Sequence, residues 1–300
     1  MAQALARGEI ESGLVEVGLR PGQTVLVHSA MRTFGRVAGG AETVVDALLA
    51  VVGEHGTLVV PTFTFAHEVE EAPIIDPAND PSEMGAITEA VRGRPQAMRS
   101  TAFRHSFAAI GRRAEVITQV DPRLAVYDFR SSFGVMLALD TQILLLGITY
   151  SSCTSHHFGE WVCDVPYRQA IDVAARVKRA DGTIVPQVMT DYQPFTYTGT
   201  RHTDFNRLGK VLEERGVVGV GAIGNAVVRR FAMRDLISTA QVEAAKDYNV
   251  FRTDGGDPES YTPLDDGAIV LSPEMLDGAG RPNRYQWSVV DETQLTMPRS

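Results

Sequence analysis

The sequence predicts an α/β protein: a single compact domain with a central, mostly parallel or mixed sheet flanked by helices. Aliphatic runs of strand length alternate with segments of helical periodicity. Residues 24–28, 42–52 and 57–60 follow one another as strand, helix and strand, which is the pattern of a parallel crossover unit. The chain has 300 residues, of which 44% are hydrophobic, so it can bury a sizeable core.

The elements of the first half follow from breaks in these patterns. Residues 1–20 have helical spacing, which Pro21 and Gly22 end. Residues 65–84 are rich in prolines and acidic side chains, so we predict a long surface loop there. The remaining predictions are a short helix at 85–93, a strand at 106–110, a helix at 114–120 and a strand at 143–146.

The second half begins with a β-hairpin insertion at 170–190, for which Asp181-Gly182 is the turn signal. A helix at 203–215 ends at Gly216. Strands at 217–222 and 226–231 and a helix at 233–248 follow. Beyond about residue 253 the chain is rich in Asp, Gly and Pro. We therefore assign the folded domain to 1–252 and an irregular C-terminal extension, packed on the same domain, to 253–300.

The charge and cysteine content limit the partners. The net charge of −9 and the lack of a long basic run argue against nucleic-acid binding and suit a cationic small molecule. No apolar run approaches the ~20 residues of a membrane helix, and the N-terminus lacks the apolar region of a secretory signal. Only Cys153 and Cys163 are present, which favours a cytoplasmic protein without disulfides or a thiolate zinc site.

The stretch from 143 to 160 is the best candidate for chemistry. Its aliphatic strand breaks at Gly147, and Thr154, His157 and Glu160 follow directly. Open α/β sheets bind ligands at the carboxyl ends of their strands. A His and a Glu three residues apart share one face of a helix, so one can remove a proton while the other orients it. The alternative is that Glu160 is a surface acid or a capping partner of Thr154.

A glycine-containing loop lies between the first strand and the helix that follows it. It contains Arg36, Gly39, Gly40 and Ala41. Glycines allow close approach of the backbone to phosphates, and the free N–H groups of a helix N-terminus bind anions. The loop could therefore hold a pyrophosphate, with an ordinary tight turn as the alternative.

Taken together, five stretches resemble the aminoglycoside 3-N-acetyltransferase family in order and spacing. The last of them contains the pattern Thr154-x-x-His157-x-x-Glu160, followed by Pro166-Tyr167-Arg168. Shorter similarities follow at 204–206 and 220–226, and the resemblance covers roughly residues 10–245. The five stretches are 27–41, 56–64, 84–92, 99–111 and 144–168.

The resemblance implies direct acetyl transfer from acetyl-CoA to an amine of an aminoglycoside or a similar small molecule, without a metal. It implies catalytic roles for His157 as general base, for Glu160 and for Thr154. The coenzyme A contacts that it implies are Ser29, Ala30, Met31, Arg36, Gly39, Gly40, Ala41 and Ser106. The candidate substrate-binding residues are Phe63, Glu89 and Asp191. A homodimer is left open.

The sequence departs from the family at one position that bears on the acceptor. The family usually has a His-Pro pair where this chain has Ala102-Phe103, and His105 stands three places later. The acceptor is therefore either an aminoglycoside or a non-aminoglycoside amine of antibiotic or natural-product biosynthesis.

Three further alternatives stay open at this point. The thiolate of Cys153 could carry the acetyl group in a two-step mechanism. A metal-dependent hydrolase could use His156, His157 and Glu160. These residues are very close together in the sequence, however, and the remaining protein ligand that the usual zinc geometry needs is not identified. A coenzyme-binding protein without catalytic activity could have the same fold.

Overall fold

The computed structural model describes residues 4–70, 72–194, 196–197, 203–252 and 261–262. Its strands are β1 (Thr24–Ser29), β2 (Thr57–Pro61), β3 (Ile74–Ile75), β4 (Met98–Arg99), β5 (Phe107–Gly111), β6 (Gln142–Leu146), β7 (Arg168–Lys178), β8 (Ile184–Pro194), β9 (Thr196–Tyr197), β10 (Gly219–Ile223), β11 (Ala226–Ala232) and β12 (Tyr261–Thr262). Its α-helices are α1 (Arg7–Glu16), α2 (Gly40–Val52), α3 (Ala86–Arg92), α4 (Ala114–Thr118), α5 (Ser132–Ala138), α6 (Ser155–Val162), α7 (Asn206–Glu214) and α8 (Met233–Ala244). Short 3₁₀ helices cover Met31–Phe34, Phe65–Val69, Tyr150–Ser152 and Tyr248–Phe251.

A seven-stranded mixed sheet in the order β10-β11-β6-β1-β2-β5-β4 forms the centre of the protein. The three middle strands, β6, β1 and β2, run parallel to one another. The strands on either side are antiparallel to them, since β5 pairs with β2 and β11 pairs with β6. The predicted α/β fold with a mixed central sheet is therefore confirmed.

The core has two layers because successive side chains of a strand point to opposite faces of the sheet. Leu26, Val59 and Leu145 lie on one face, where they pack against helices α4 to α8. Val27 and Leu144 lie on the other face, where they pack against α1, α2 and α3. All five side chains are fully buried. Burial on both faces explains why the central strands are apolar throughout rather than alternating in polarity.

The carboxyl ends of β1, β2 and β6 lie at one edge of the sheet because these strands are parallel. Since β2 and β6 flank β1 on opposite sides, a crevice is expected beside the end of β1, the usual ligand position in such sheets. The antiparallel strand β5 starts at this same edge. Residues that follow or precede these strand ends, including Ser29, Thr62, Ser106 and Gly147, are thereby brought to one side of the protein.

The structure differs most from the local predictions in two segments, while the helices predicted at 1–20, 203–215 and 233–248 are present but shorter. Residues 65–84 are not only a loop: they contain a 3₁₀ helix and the strand β3, which pairs with β7 about a hundred residues later. Such a distant pairing leaves no local pattern. Helix α5 was not predicted, because residues 132–137 are all buried and so show no amphipathic period.

The predicted hairpin is present as β7 and β8, which join β3 in a second sheet of three strands. Its turn contains Gly182 at φ +83°, and the carboxylate of Asp181 accepts a hydrogen bond from the backbone N–H of Thr183 at 2.9 Å. The predicted extension, 253–300, lies outside the described residues except for 261–262, which pair with β9. In the described part of the chain, no helix has the length and apolar character needed to span a membrane.

Candidate active site

Helix α6 begins just beyond the crevice, and Gly147 is the residue at which the chain leaves β6 to reach it. Gly147 has a φ of +69°, and a Cβ on it would collide with the side chain of Thr33. Thr154 precedes the first turn of α6, but its hydroxyl does not cap the helix. His157 and Glu160 lie on one face of α6, as their spacing predicts.

The buried carboxylate of Glu160 is the centre of this site. Its Oε2 lies 2.5 Å from Nδ1 of His157 and 2.7 Å from Nε of Arg168. Tyr167 donates its hydroxyl to Oε1 at 3.1 Å. A carboxylate can only accept, so Nδ1 of His157 holds the proton and Nε2 keeps its lone pair. Glu160 is therefore neither a surface acid nor a capping partner of Thr154.

The electrostatics of the pair favour a neutral ring beside an ionised carboxylate. Burial lowers the pKa of His157 to about 4, and the charge of Arg168 acts in the same direction. Burial alone would raise the pKa of Glu160, but Arg168 and His157 together hold it below its usual value. The His157 side chain keeps 22% of its surface exposed, so the ring can reach a ligand.

The neighbouring His156 and Cys153 belong to the core. The ring of His156 stacks on Phe205 at 4.6 Å, and its Nδ1 lies 3.0 Å from the carbonyl oxygen of Cys153. His156 and His157 therefore point in different directions and do not form a ligand set with Glu160. Burial raises the pKa of the Cys153 thiol to about 12, which disfavours a thiolate nucleophile.

The predicted coenzyme-binding segments lie around β1 and the start of α2. Gly39 and Gly40 have φ angles of +78° and +66°, and no side chain caps the first turn of α2. A Cβ on Gly40 would meet nothing within 4 Å, so open space adjoins this turn. Because α2 returns the chain from the end of β1 to the start of β2, its N-terminus lies at the same edge of the sheet as α6. Arg36 is exposed beside it.

Ser106 is buried and hydrogen-bonded inside the protein. Its hydroxyl donates to the carbonyl oxygen of Thr62 at 2.9 Å and lies 3.0 Å from the Thr62 hydroxyl. The guanidinium of Arg99 reaches both residues, at 3.3 Å from Oγ of Ser106 and 2.6 Å from the Thr62 carbonyl oxygen. This network ties the end of β2 to the start of β5. The placement favours a structural role for Ser106 over direct contact with the coenzyme.

Two of the three predicted substrate-binding residues meet at His105. Phe63 packs edge-to-face on the ring of His105 with centroids 4.9 Å apart, and Asp191 lies 3.7 Å from Nδ1 of that ring. Phe63 is only 2% exposed, so it supports His105 from behind. Glu89 is elsewhere: it forms an ion pair with Arg92 at 2.8 Å on α3.

A shallow, open cleft lies in front of His105 and Asp191. One of its walls is residues 100–105, which include the Ala102-Phe103 pair that departs from the family pattern. The ring of Tyr127 connects the cleft to α6, since it lies 5.6 Å from the His105 ring and 6.2 Å from the Phe158 ring. A single layer of aromatic side chains therefore separates the cleft from the helix that contains His157.

The sequence model of a family described as aminoglycoside 3-N-acetyltransferase matches residues 26–243, which is more than half of the chain. The chain belongs to this family. It is therefore an acyltransferase, as the resemblance predicted. Aminoglycoside N(3)-acetyltransferase VII of Streptomyces paromomycinus is 30% identical to it over 259 residues, which cover 78% of this chain and 89% of that protein.

Solved structures support the same relationship. This acyltransferase matches a mutant of aminoglycoside acetyltransferase AAC(3)-IVa, in complex with a gentamicin, with a TM-score of 0.67 at 27% identity. That match covers 84% of this chain and 92% of the other. AAC-VIa bound to sisomicin gives a TM-score of 0.72 at 25% identity and covers 81% and 98% of the two chains.

Sequence reasoning did not assign roles to four residues of the acyltransferase that line or support these sites. Tyr167 and Arg168 hold Glu160, and a signal for them was available: both lie in the Pro-Tyr-Arg segment that resembles the family. Arg104 and His105 contact Asp191 across the cleft. No local signal could have found them, because that contact joins residues more than eighty positions apart.

Proposed function

We propose that this chain transfers the acetyl group of acetyl-CoA to an amine of an aminoglycoside or aminoglycoside-like small molecule, with His157 as general base. The observation that supports this most strongly is the pairing of His157 with the buried carboxylate of Glu160. The ring is neutral at neutral pH and has one free nitrogen, which is the state that a base requires. The aminoglycosides named with the related structures, gentamicin and sisomicin, support the acceptor class.

The proposed reaction exchanges a C–S bond for a C–N bond and removes two protons from the acceptor ammonium. Nε2 of His157 takes a proton from the acceptor ammonium, and the freed nitrogen attacks the thioester carbonyl. The C–S bond then breaks, the attacking nitrogen gives its second proton to the departing thiolate, and the imidazolium releases its proton to solvent, which leaves an amide, free coenzyme A and one proton. Glu160 fixes the ring through Nδ1 and stabilises the imidazolium while it exists.

We place the coenzyme pyrophosphate at the N-terminus of α2. The uncapped first turn, the open space beside Gly40 and the exposed Arg36 support this site. Ser29 ends β1, and Ala30 and Met31 follow it toward the crevice, so these residues would line the path to His157. The low cysteine content of the chain supports the predicted cytoplasmic location. A homodimer stays a prediction.

The test is a thiol-release assay with acetyl-CoA and deoxystreptamine aminoglycosides. We expect His157→Ala to lower kcat by a factor of about 10² to 10⁴, because the general base is lost. The matched control is His55→Ala, which removes an exposed histidine and should leave kcat unchanged. A fully active His157→Ala enzyme would contradict the mechanism. If the protein binds the coenzyme but acetylates no aminoglycoside, the proposed coenzyme site stands and the acceptor is another amine.

A further inference from the structure

Phe205, which directly precedes α7, contacts both histidines of α6. Its buried ring stacks on the ring of His156 with centroids 4.6 Å apart and an angle of 14° between the planes. The same ring meets the ring of His157 edge-to-face, with centroids 4.8 Å apart and an angle of 78°. Because His156 is fully buried, the stack fixes the plane of Phe205, which is therefore a fixed wall beside the ring of His157.

The contact with Glu160 alone does not fully orient the ring of His157. It holds Nδ1, but rotation about the Cβ–Cγ bond of a histidine has broad minima. A half-turn would put Cδ2 where Nδ1 lies and Cε1 where Nε2 lies. The carboxylate would then lose its donor, and the free nitrogen would point elsewhere. An aromatic ring packed edge-to-face opposes this rotation, because such pairs prefer one geometry.

The position of Phe205 is set in turn by polar contacts of its two neighbours in the sequence. The carboxylate of Asp204 accepts hydrogen bonds from the backbone N–H of Asn206 at 3.0 Å and from the hydroxyl of Ser151 at 3.3 Å. The side-chain amide of Asn206 donates to the same hydroxyl at 2.8 Å. Ser151 lies in the connection between β6 and α6. These contacts therefore tie the start of α7 to the segment that leads into α6.

Helix α7 contacts the same connection in two further turns. A Cβ on Gly209 would collide with the ring of Tyr150, so the helix backbone lies directly against that ring. Tyr150 also donates its hydroxyl to Glu213 at 3.0 Å. Phe205 is thus attached to a helix that cannot shift without displacing the connection to α6.

We propose that Phe205 is a positioning residue for His157, which holds the imidazole so that Nδ1 meets Glu160 and Nε2 stays free for the acceptor amine. This inference rests on the proposed function, because the role of His157 as base is part of that proposal. Phe205 acts through the ring of His157 and not through a substrate. Loss of its aromatic ring should therefore slow the chemical step more than it weakens binding.

The first test is Phe205→Leu, which keeps a large apolar side chain and removes the aromatic ring. We expect kcat in the thiol-release assay to fall roughly tenfold, while KM for acetyl-CoA and for the amine changes by less than about twofold. Phe231→Leu is the matched control, because Phe231 is fully buried in the same core and its ring lies 5.6 Å from that of Tyr150. An equal loss of kcat in Phe231→Leu would overturn the inference.

Long-range ¹H–¹⁵N NMR spectra examine the ring of His157 without any substrate. Its signals are identified by their loss in His157→Gln, and in the native protein they should show one tautomer, with the proton on Nδ1. In Phe205→Leu the two ¹⁵N shifts should move toward each other, because the contact with Glu160 loosens and both nitrogens share the proton. Unchanged shifts in a folded Phe205→Leu protein would show that Phe205 only fills the core.

Asn206→Ala makes the test independent of core packing, since Asn206 is exposed and the variant removes its side-chain bond to Ser151. The ¹⁵N shifts of His157 should change in the same direction by a smaller amount, and unchanged shifts would contradict the proposal. If the native protein acetylates no amine but Phe205→Leu still changes these shifts, the proposed function fails while the positioning role of Phe205 stands.

Discussion

Two basic side chains share a single carboxylate oxygen in this protein. Oε2 of Glu160 is shared by His157, which is positively charged only when protonated, and by Arg168, which is always charged. Arg168 already offsets the negative charge of the carboxylate. Glu160 therefore stabilises a protonated His157 less than it would if the two residues formed an isolated pair. Arg168 thereby helps to hold the ring in its neutral form, while Glu160 still orients it.

We predict that Arg168→Gln moves the acidic limb of the kcat/KM–pH profile upward. The base is active when neutral, so activity is lost as pH falls through the pKa of His157, which is about 4 in the native enzyme. Removing the like charge of Arg168 raises that pKa. The limb should shift accordingly in a thiol-release assay across pH.

Arg168→Lys is the control because it retains the charge without the planar guanidinium, and its limb should stay near the native position. A limb that does not move in Arg168→Gln, while kcat falls, would mean that Arg168 only holds Glu160 in place. Tyr167→Phe removes a neutral donor to the other oxygen and should alter the limb less than Arg168→Gln does.

At the scale of elements, the connection between β6 and α6 positions His157 and Glu160, the proposed catalytic pair. The chain turns at Gly147 in a left-handed conformation, and its backbone approaches the side chain of Thr33, which follows β1. Two loops from neighbouring strands are thus in contact at the crevice. A larger residue at this position would have to move one of them, and with it either the proposed coenzyme path or the start of α6.

We predict that Gly147→Ala lowers the free energy of unfolding by on the order of 2 kcal/mol, because it adds a steric clash to an unfavourable φ angle. Gly22→Ala separates the two causes. Gly22 has a similar φ of +81°, but a Cβ there would meet nothing within 4 Å. Denaturant unfolding should show a smaller loss for Gly22→Ala. Equal losses for the two variants would show that the contact with Thr33 has no energetic cost.

At the scale of the whole molecule, the core on the α6 side contains histidines that are kept neutral. Burial lowers the pKa of His28 to about 4 and that of His156 to about 3. Both values lie below the 6.5 of an unperturbed histidine. Between these values and 6.5 the unfolded chain binds protons that the folded protein does not. Stability is therefore fully present above pH 6.5 and falls as the pH drops toward 4.

We predict that acidification from pH 7 to pH 5 removes about 2 kcal/mol of stability through His28 alone. Urea unfolding at the two pH values should show this loss in the native protein, and His28→Gln should reduce it by that amount. The exposed His55 provides the control, since His55→Gln should leave the pH dependence as it is. An unchanged pH dependence in His28→Gln would exclude His28 as a source of acid sensitivity.

Much of the architecture and the placement of the proposed catalytic pair could be predicted from local signals. The aliphatic runs of β1, β2 and β6 and the period of α2 identify the central crossover unit, and a three-residue spacing suffices to place His157 and Glu160 on one helical face. Family resemblance added the acyltransferase activity. The strands, the helix and the spacing of His157 and Glu160 depend on residues only a few positions apart, so the sequence by itself determined them.

The tertiary structure alone decided which distant groups surround them. The pairing of β3 with β7 and the meeting of Arg104 with Asp191 each join segments about ninety to a hundred residues apart. Burial lowers the pKa of His157 and places Ser106 in a buried hydrogen-bond network. Burial depends on packing and not on local sequence pattern. Chain topology brings such groups together, and the charge balance of the cleft is therefore a property of the folded molecule.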